Sequence, residues 1–310
     1  MANPVSAIVL GTGGFGSAQP RDLSFALLDA FAEAGGTFLD TANVYAAWLP
    51  NGTGASERTI GAWLTSRGMR AQVAIGTKGG HPHLASMDRS RLRPEDISAD
   101  LAESLHRLSV SAIDVYWLHR DDECIPVDEI LGAMQPHVRS GVIRALGASN
   151  WSWARLEAAQ ICATKHGWTG FSASQVNWSL AAFSPTHRHT GGLVGMDADT
   201  LTWHACSRLA QIPYSSQANG FFAKPLAQAL ERHPQYDHPI NRRRWTLVQQ
   251  FAAQHSASPN AIALAWLLQH PQGGFGIIGP KNLTQLADSL TAARIELDPE
   301  EHAALSSDRG

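Results

Sequence analysis

Phe38-Leu39-Asp40-Thr41-Ala42-Asn43-Val44-Tyr45 is the stretch from which the rest of this chain can be read. An apolar run closes on a carboxylate, and a phenol follows after a turn of small residues. Alone, an Asp at the end of a buried strand is a cap or turn residue. Its neighbours change that reading. The next apolar run, Ile75-Gly76-Thr77-Lys78, closes on a lysine, and the one after it, Val115-Tyr116-Trp117-Leu118-His119, closes on a histidine. Consecutive strands ending in Asp, Lys and His, with a Tyr just past the first, predict one polar cluster.

Working outward, strands are predicted at 7–10, 37–40, 73–77, 114–118, 143–148, 171–176, 212–215 and 275–278. Helical spacing of apolar residues alternates with them. Helices are predicted from Asp22 to the Gly35-Gly36 stop, at 56–64, from Pro94, from Pro126 to the Gly141 stop, and at 151–166, 199–209, 245–255, 259–269 and 283–293. Pro94 with Glu95 and Asp96 places a proline and acids in a first helical turn, as the helix dipole favours. Strand–helix units repeated in this way are best satisfied by a single-domain α/β fold, a (β/α)8 TIM barrel over residues 1–310. Irregular segments on its active face are expected near 178–195 and 217–244, the first too long for an ordinary connector. A dinucleotide fold competes, because Gly11-Thr12-Gly13-Gly14-Phe15-Gly16 fits G-x-G-x-x-G after a strand, with Asp40 near ribose-binding distance. There the last glycine opens the helix so that its amides face a pyrophosphate. Here residues 17–21, including Pro20, intervene.

Composition removes other classes. The 310 residues carry a net charge of -3, so no basic excess points to nucleic acid. No apolar run approaches the roughly 20 residues that span a bilayer, and Met1-Ala2-Asn3-Pro4-Val5 lacks the start of a signal peptide. Cys124, Cys162 and Cys206 are odd in number and have no metal-type spacing, which predicts reduced thiols in a cytoplasmic protein and no metal site. Nothing in the sequence sets the oligomeric state.

In a barrel, function sits at the C-terminal strand ends. Those positions carry Asp40, Tyr45, Lys78, His119, Ser149, Asn150, Gln175, Tyr214 and Lys281. A phenol titrates near 10 and needs a neighbouring cation to act as an acid at neutral pH. Lys78 can supply that charge, Asp40 can hold the ammonium, and His119 can orient a carbonyl oxygen or share the proton. The set suits protonation of the oxyanion formed as a carbonyl is reduced. It holds no hydride, so a nicotinamide is the natural donor.

With these residues in place, the chain resembles the aldo-keto reductases over nearly its whole length, and their bacterial, potassium-channel-beta-subunit-like branch more than the mammalian aldose reductase branch. The likeness rests on Asp40-Thr41-Ala42-x-x-Tyr45, Ser56-Glu57, Thr77-Lys78, Leu118-His119, Gly147-Ala148-Ser149-Asn150, Gln175, Pro213-Tyr214-Ser215 and Ile278-Gly279-Pro280-Lys281-Asn282-Leu283-x-Gln285-Leu286. It implies Tyr45 as proton donor, with Asp40, Lys78 and His119 in support. Ser149, Asn150 and Gln175 would hold the nicotinamide carboxamide, with Tyr214 stacked on its ring. Ser215, Gln217 and Asn219 would follow the pyrophosphate. Gly279 with Lys281, Asn282, Gln285 and Asp288 would surround the adenosine end. NADP is the implied cofactor and NAD the alternative; a barrel that binds nucleotide in a regulatory role is the alternative to an enzyme. Departures from the family pattern are Ala46 in place of the usual glycine after the tyrosine, Ser289 in place of an asparagine near the adenine, and Gln285 in place of an arginine found in some members. Lys281 remains as a partner for a 2′-phosphate.

The substrate is expected to be a small carbonyl compound. Trp48, Trp151 and Trp178 fall on loops of the active face, and Arg120, Asp121 and Asp122 follow His119. Trp48 and Trp178 with Arg120 and Asp121 would suit a hydroxylated, sugar-like substrate. The same rings would equally seal a generic apolar pocket.

Overall fold

The computed structural model describes residues 5–307; Met1–Pro4, read above for a leader, lie outside the described residues. Eight parallel strands alternate with helices: β1 (Ile8–Gly11), β2 (Phe38–Asp40), β3 (Ala74–Gly79), β4 (Val115–Leu118), β5 (Leu146–Ser149), β6 (Phe171–Gln175), β7 (Ala210–Gln211) and β8 (Gly276–Ile278). Their order is β7-β6-β5-β4-β3-β2-β1-β8, so the first strand lies against the last. The circle closes between β8 and the residues just after β7, where the Ile277 N–H donates to the Pro213 carbonyl at 3.0 Å. This is the (β/α)8 barrel expected.

Two apolar sets account for it. Val9, Phe38, Trp117, Ala173, Ile212 and Ile277 fill the barrel interior. A larger set packs the helices on the outside. Trp117 is the bulkiest interior residue, and Gly76 of β3 and Gly147 of β5 flank it. A Cβ at either glycine would collide with the indole ring, so the missing side chains make the room it occupies.

The helices are α1 (Arg21–Glu33), α2 (Ala55–Arg67), α3 (Pro94–Leu108), α4 (Val127–Arg139), α5 (Trp153–His166), α6 (Ala198–Cys206), α7 (Leu226–Arg232), α8 (Pro239–Gln254), α9 (Pro259–Gln269), α10 (Leu283–Thr291) and α11 (Pro299–Ser306). Five features depart from expectation, the first being α7, a helix inside the segment near 217–244 expected to be irregular. β7 precedes the predicted 212–215, where the Ile212 and Tyr214 N–H groups still donate to the Ser174 and Val176 carbonyls at 3.0 and 3.1 Å before Ser215 takes a left-handed φ of 54°. β5 begins at Leu146 rather than 143, since Ile143 makes only an isolated bridge to Ile113. α8 begins at Pro239 rather than 245, started by the His238 side chain accepting from the Ile240 N–H. α11 was not expected, although Asp298 and Glu301 close a reciprocal capping box at its start. Among the described residues, no helix is long and apolar enough to cross a membrane.

The Ala46 departure from the family pattern has a backbone consequence. Ala46 is fully buried with φ 67°, the left-handed conformation in which a glycine is unstrained. Left-handed geometry costs an alanine about 1–2 kcal/mol. Ala46→Gly removes that cost. It also gives up a buried methyl, about 0.8 kcal/mol, and loosens the unfolded chain by about 0.4–1 kcal/mol. These offset one another, so the variant is expected within about 1 kcal/mol of wild type in urea denaturation. A loss above about 2 kcal/mol would show that the turn stores no strain.

Candidate active site

The site is built on the ends of β2, β3 and β4. Asp40 closes β2, Lys78 lies one residue from the end of β3, and both are 1% exposed. A fully buried ammonium must use all its hydrogens, and this one does. Lys78 Nζ donates to Asp40 Oδ2 at 2.5 Å, to the Thr41 carbonyl at 2.8 Å and to Tyr45 Oη at 3.0 Å. The other oxygen of Asp40 accepts from Gln175 Nε2 at 3.0 Å, which links β6 to the cluster. Ser56 and Glu57 support it from α2. Ser56 Oγ bonds Thr12 and Thr41 hydroxyls at 2.9 and 2.8 Å, and Glu57 accepts from the Thr77 hydroxyl at 2.7 Å.

Electrostatics follow from this packing. Burial pushes the Tyr45 phenol above its ordinary value, and Lys78 pulls against it without cancelling it. The sequence reading expected the cation to prevail; in the folded chain desolvation wins. Burial also works against the charge on Lys78, yet Asp40 and Tyr45 together hold it above the ordinary lysine value. His119 is held well below its usual range by burial and by the charges of Lys78 and Arg120, so its ring is neutral at pH 7. Its Nδ1 is buried without a partner. Its ring stands edge-on to Tyr45, with centroids 6.0 Å apart.

His81, not singled out from the sequence, packs 4.9 Å from His119. Its Nδ1 lies 2.6 Å from the Pro82 carbonyl, which can only accept, so Nδ1 carries the hydrogen. Burial holds this ring below its usual pKa as well. A neutral His81 therefore turns an acceptor Nε2 away from that carbonyl.

Beside the cluster, Asn150 adopts a left-handed φ of 61° directly after β5. Its Oδ1 accepts from Tyr214 Oη at 2.8 Å and from the Val194 N–H at 3.1 Å, and its Nδ2 donates to Ser149 Oγ at 3.1 Å. Ser149, Asn150 and Tyr214 thus form one group. From Tyr214 a cavity of about 570 Å³ runs between β8 and α10. Ser215, Gln217, Asn219, Gly279, Lys281, Gln285 and Asp288, all singled out from the sequence, line it. Asn282 instead caps α10, its Oδ1 accepting from the Gln285 N–H at 2.9 Å. Ser216, Lys224 and Asn260 also line the cavity and were missed. They come from separate elements, and no short motif joins them.

The residues proposed for substrate separate. Trp48 is 56% exposed and edge-on to Tyr45, 6.4 Å between centroids. Arg120 is half-buried next to His119. Asp121 is turned away, held by Arg155 Nε and Nη2 at 2.8 and 2.9 Å. Trp178 is not on an open wall. It is 6% exposed and packs edge-on against Trp266 and His270, because its loop pairs back to the barrel through the neighbouring Asn177. Trp151 is also buried, donating to the Arg120 carbonyl at 3.3 Å.

Comparison with known proteins defines the class. Residues 7–307 match the model of the aldo/keto reductase family. The chain is 30% identical over 303 residues to the uncharacterized oxidoreductase YrpG of Bacillus subtilis, covering 96% of this chain and 90% of that one. It is 30% identical over 328 residues to the aldo-keto reductase ausK of Aspergillus calidoustus, covering 98% and 78%. It is 28% identical over 319 residues to the norsolorinic acid reductase stcV of Emericella nidulans, covering 96% and 76%. The chain belongs to the aldo/keto reductase family and is an oxidoreductase. Reduction of small carbonyl compounds with a nicotinamide cofactor is the chemistry of that family.

Proposed function

We propose that this protein reduces an aldehyde or ketone to an alcohol with NADPH, and that Tyr45 delivers the proton. One observation carries the assignment: the Lys78 ammonium spends its three hydrogens on Asp40, Thr41 and the Tyr45 oxygen. Tyr45 Oη is therefore an acceptor towards Lys78, and its own hydrogen is free for a substrate oxygen. Neutral His119 beside it can orient that oxygen by a hydrogen bond without adding a competing charge. Gln175 and Lys78 together hold Asp40, so the ammonium cannot swing out of register.

The nucleotide cavity fits the dinucleotide. Asn260 Oδ1 is buried there without a partner among the described residues, and Lys224 and Lys281 bring two cations to a cavity whose lining holds one carboxylate, Asp288. Lys281 and Lys224 would hold the phosphates, and Ser149, Asn150 and Tyr214 would hold the nicotinamide end. When bound, the nicotinamide supplies the hydride. A cytoplasmic setting agrees with the free thiols Cys124, Cys162 and Cys206. Of the contacts expected for a sugar-like substrate, Trp48 and Arg120 remain at the site.

The experiment is direct. Nicotinamide absorbance should fall when reactive aldehydes are added, with norsolorinic acid included because one relative is named as its reductase. Lys281→Ala should weaken NADPH binding by roughly ten-fold, the scale of one charge-assisted hydrogen bond, and leave NADH within about two-fold. Equal loss for both cofactors would remove Lys281 from the 2′-phosphate.

A further inference from the structure

We propose that Arg120 is the docking point for an anionic group on the substrate, and that the enzyme prefers carbonyl compounds bearing a carboxylate over neutral ones of the same shape. The inference rests on the reading of Tyr45 and its neighbours as the reduction site.

Among the half-buried arginines the contrast is with Arg70, Arg91, Arg107 and Arg155, each of which meets a carboxylate. Arg120 forms no ion pair among the described residues. Its two hydrogen bonds go to uncharged backbone acceptors, Nε to the Gly191 carbonyl at 3.1 Å and Nη1 to the His119 carbonyl at 2.9 Å. The acids beside it in sequence are already engaged. Asp121 is taken by Arg155, and Asp122 Oδ1 accepts from the Cys124 N–H at 3.0 Å. Asp40, the carboxylate of the catalytic cluster, is held by Lys78 and Gln175.

A guanidinium carries five N–H donors in a planar fork, so two bonds leave three hydrogens without a protein acceptor. The two bonds also fix the plane of the fork, tying it to the end of β4 and to the 178–195 segment. Its charge reaches the reacting groups, since Tyr45, His119 and Tyr214 all feel it. A half-buried cation without a counter-ion has given up hydration that its two backbone carbonyls replace only in part. A carboxylate replaces it with two parallel charge-assisted bonds, which a hydroxyl or an amide of the same size cannot do. Trp48, edge-on to Tyr45, leaves an apolar face for the carbon skeleton between carbonyl and carboxylate.

The test compares kcat/KM for 3- and 4-carboxybenzaldehyde with 3- and 4-formylbenzamide, which match them in shape but carry no charge. Wild type is expected to favour the acid at one position by about ten-fold or more, mainly through KM, and to lose part of that preference as salt is raised. Arg120→Gln should bring the ratio close to one, and Arg120→Lys should keep part of it. A wild-type ratio of one or below at both positions overturns the proposal. So does an Arg120→Gln variant that slows acid and amide equally, which would make Arg120 a prop for His119 and the Gly191 segment. If no aldehyde is turned over, the reduction reading fails instead. Calorimetric binding of the same acid and amide to wild type and Arg120→Gln then decides the carboxylate site by itself.

Discussion

Tyr45→Phe is expected to lower turnover by about 10²–10⁴-fold, the usual worth of a positioned general acid. Cofactor binding should stay close to wild type, because Tyr45 is not among the residues lining the nucleotide cavity. The fold should survive too. Among the described residues the one side-chain bond lost is that from Lys78 Nζ at 3.0 Å, and the ring keeps its contacts with Trp48 and His119. The pH dependence adds a second readout. Reduction needs the phenol protonated, and burial raises its pKa, so wild-type activity should fall only on the alkaline side. That alkaline limb should vanish from the residual activity of Tyr45→Phe. A variant retaining more than about half of wild-type turnover would remove Tyr45 as the acid.

Much of this site can be read in the sequence because a parallel barrel turns linear order into spatial order. Asp40, Lys78 and His119 close successive strands, so they must meet at one end of the barrel. What could not be read depends on where side chains turn after the strands end. Trp178 lies three residues past β6 and was placed on the active face by counting. The pairing of Asn177 with Gly195 and Tyr214 instead directs it against Trp266 and His270. Asp121 and Arg155 are 34 positions apart, and no local pattern announces that their pairing withdraws the acid from the cleft. α8 was begun late because residues 217–244 were expected to form an irregular segment. In the fold Arg244 is only 7% exposed and donates to the Leu180 carbonyl at 2.8 Å. β7 was misplaced for a different reason. Residues 212–215 do run on beside β6, the Ile212 and Tyr214 N–H groups donating to the Ser174 and Val176 carbonyls, but the regular ladder ends at Gln211 and Ser215 turns to a left-handed φ of 54°.

Lys78→Met should cost both activity and stability, and the two losses can be separated. Without the ammonium, the phenol loses the cation that offsets part of its burial, so its pKa rises further and it becomes a weaker acid. Turnover should fall by at least about 10²-fold, with the alkaline limb displaced to higher pH. The stability loss has another origin. Asp40 is left 1% exposed with Gln175 as its remaining side-chain donor, and stranding one member of a buried pair costs about 3–5 kcal/mol. Its pH dependence is set by Lys78 itself, whose folded pKa lies above the ordinary 10.5. That stabilisation is fully present below the unfolded value and is lost as pH rises through the folded one. The gap between wild type and Lys78→Met should therefore be constant from roughly pH 6 to 9 and close only in strong alkali. Combining Asp40→Asn with Lys78→Met removes both charges, so at least half of the lost stability should return in urea denaturation while turnover stays low. If the double variant regained activity along with stability, Lys78 would be acting through the fold alone. Wild-type turnover and an unmoved pH profile in Lys78→Met would end its role at Tyr45 altogether.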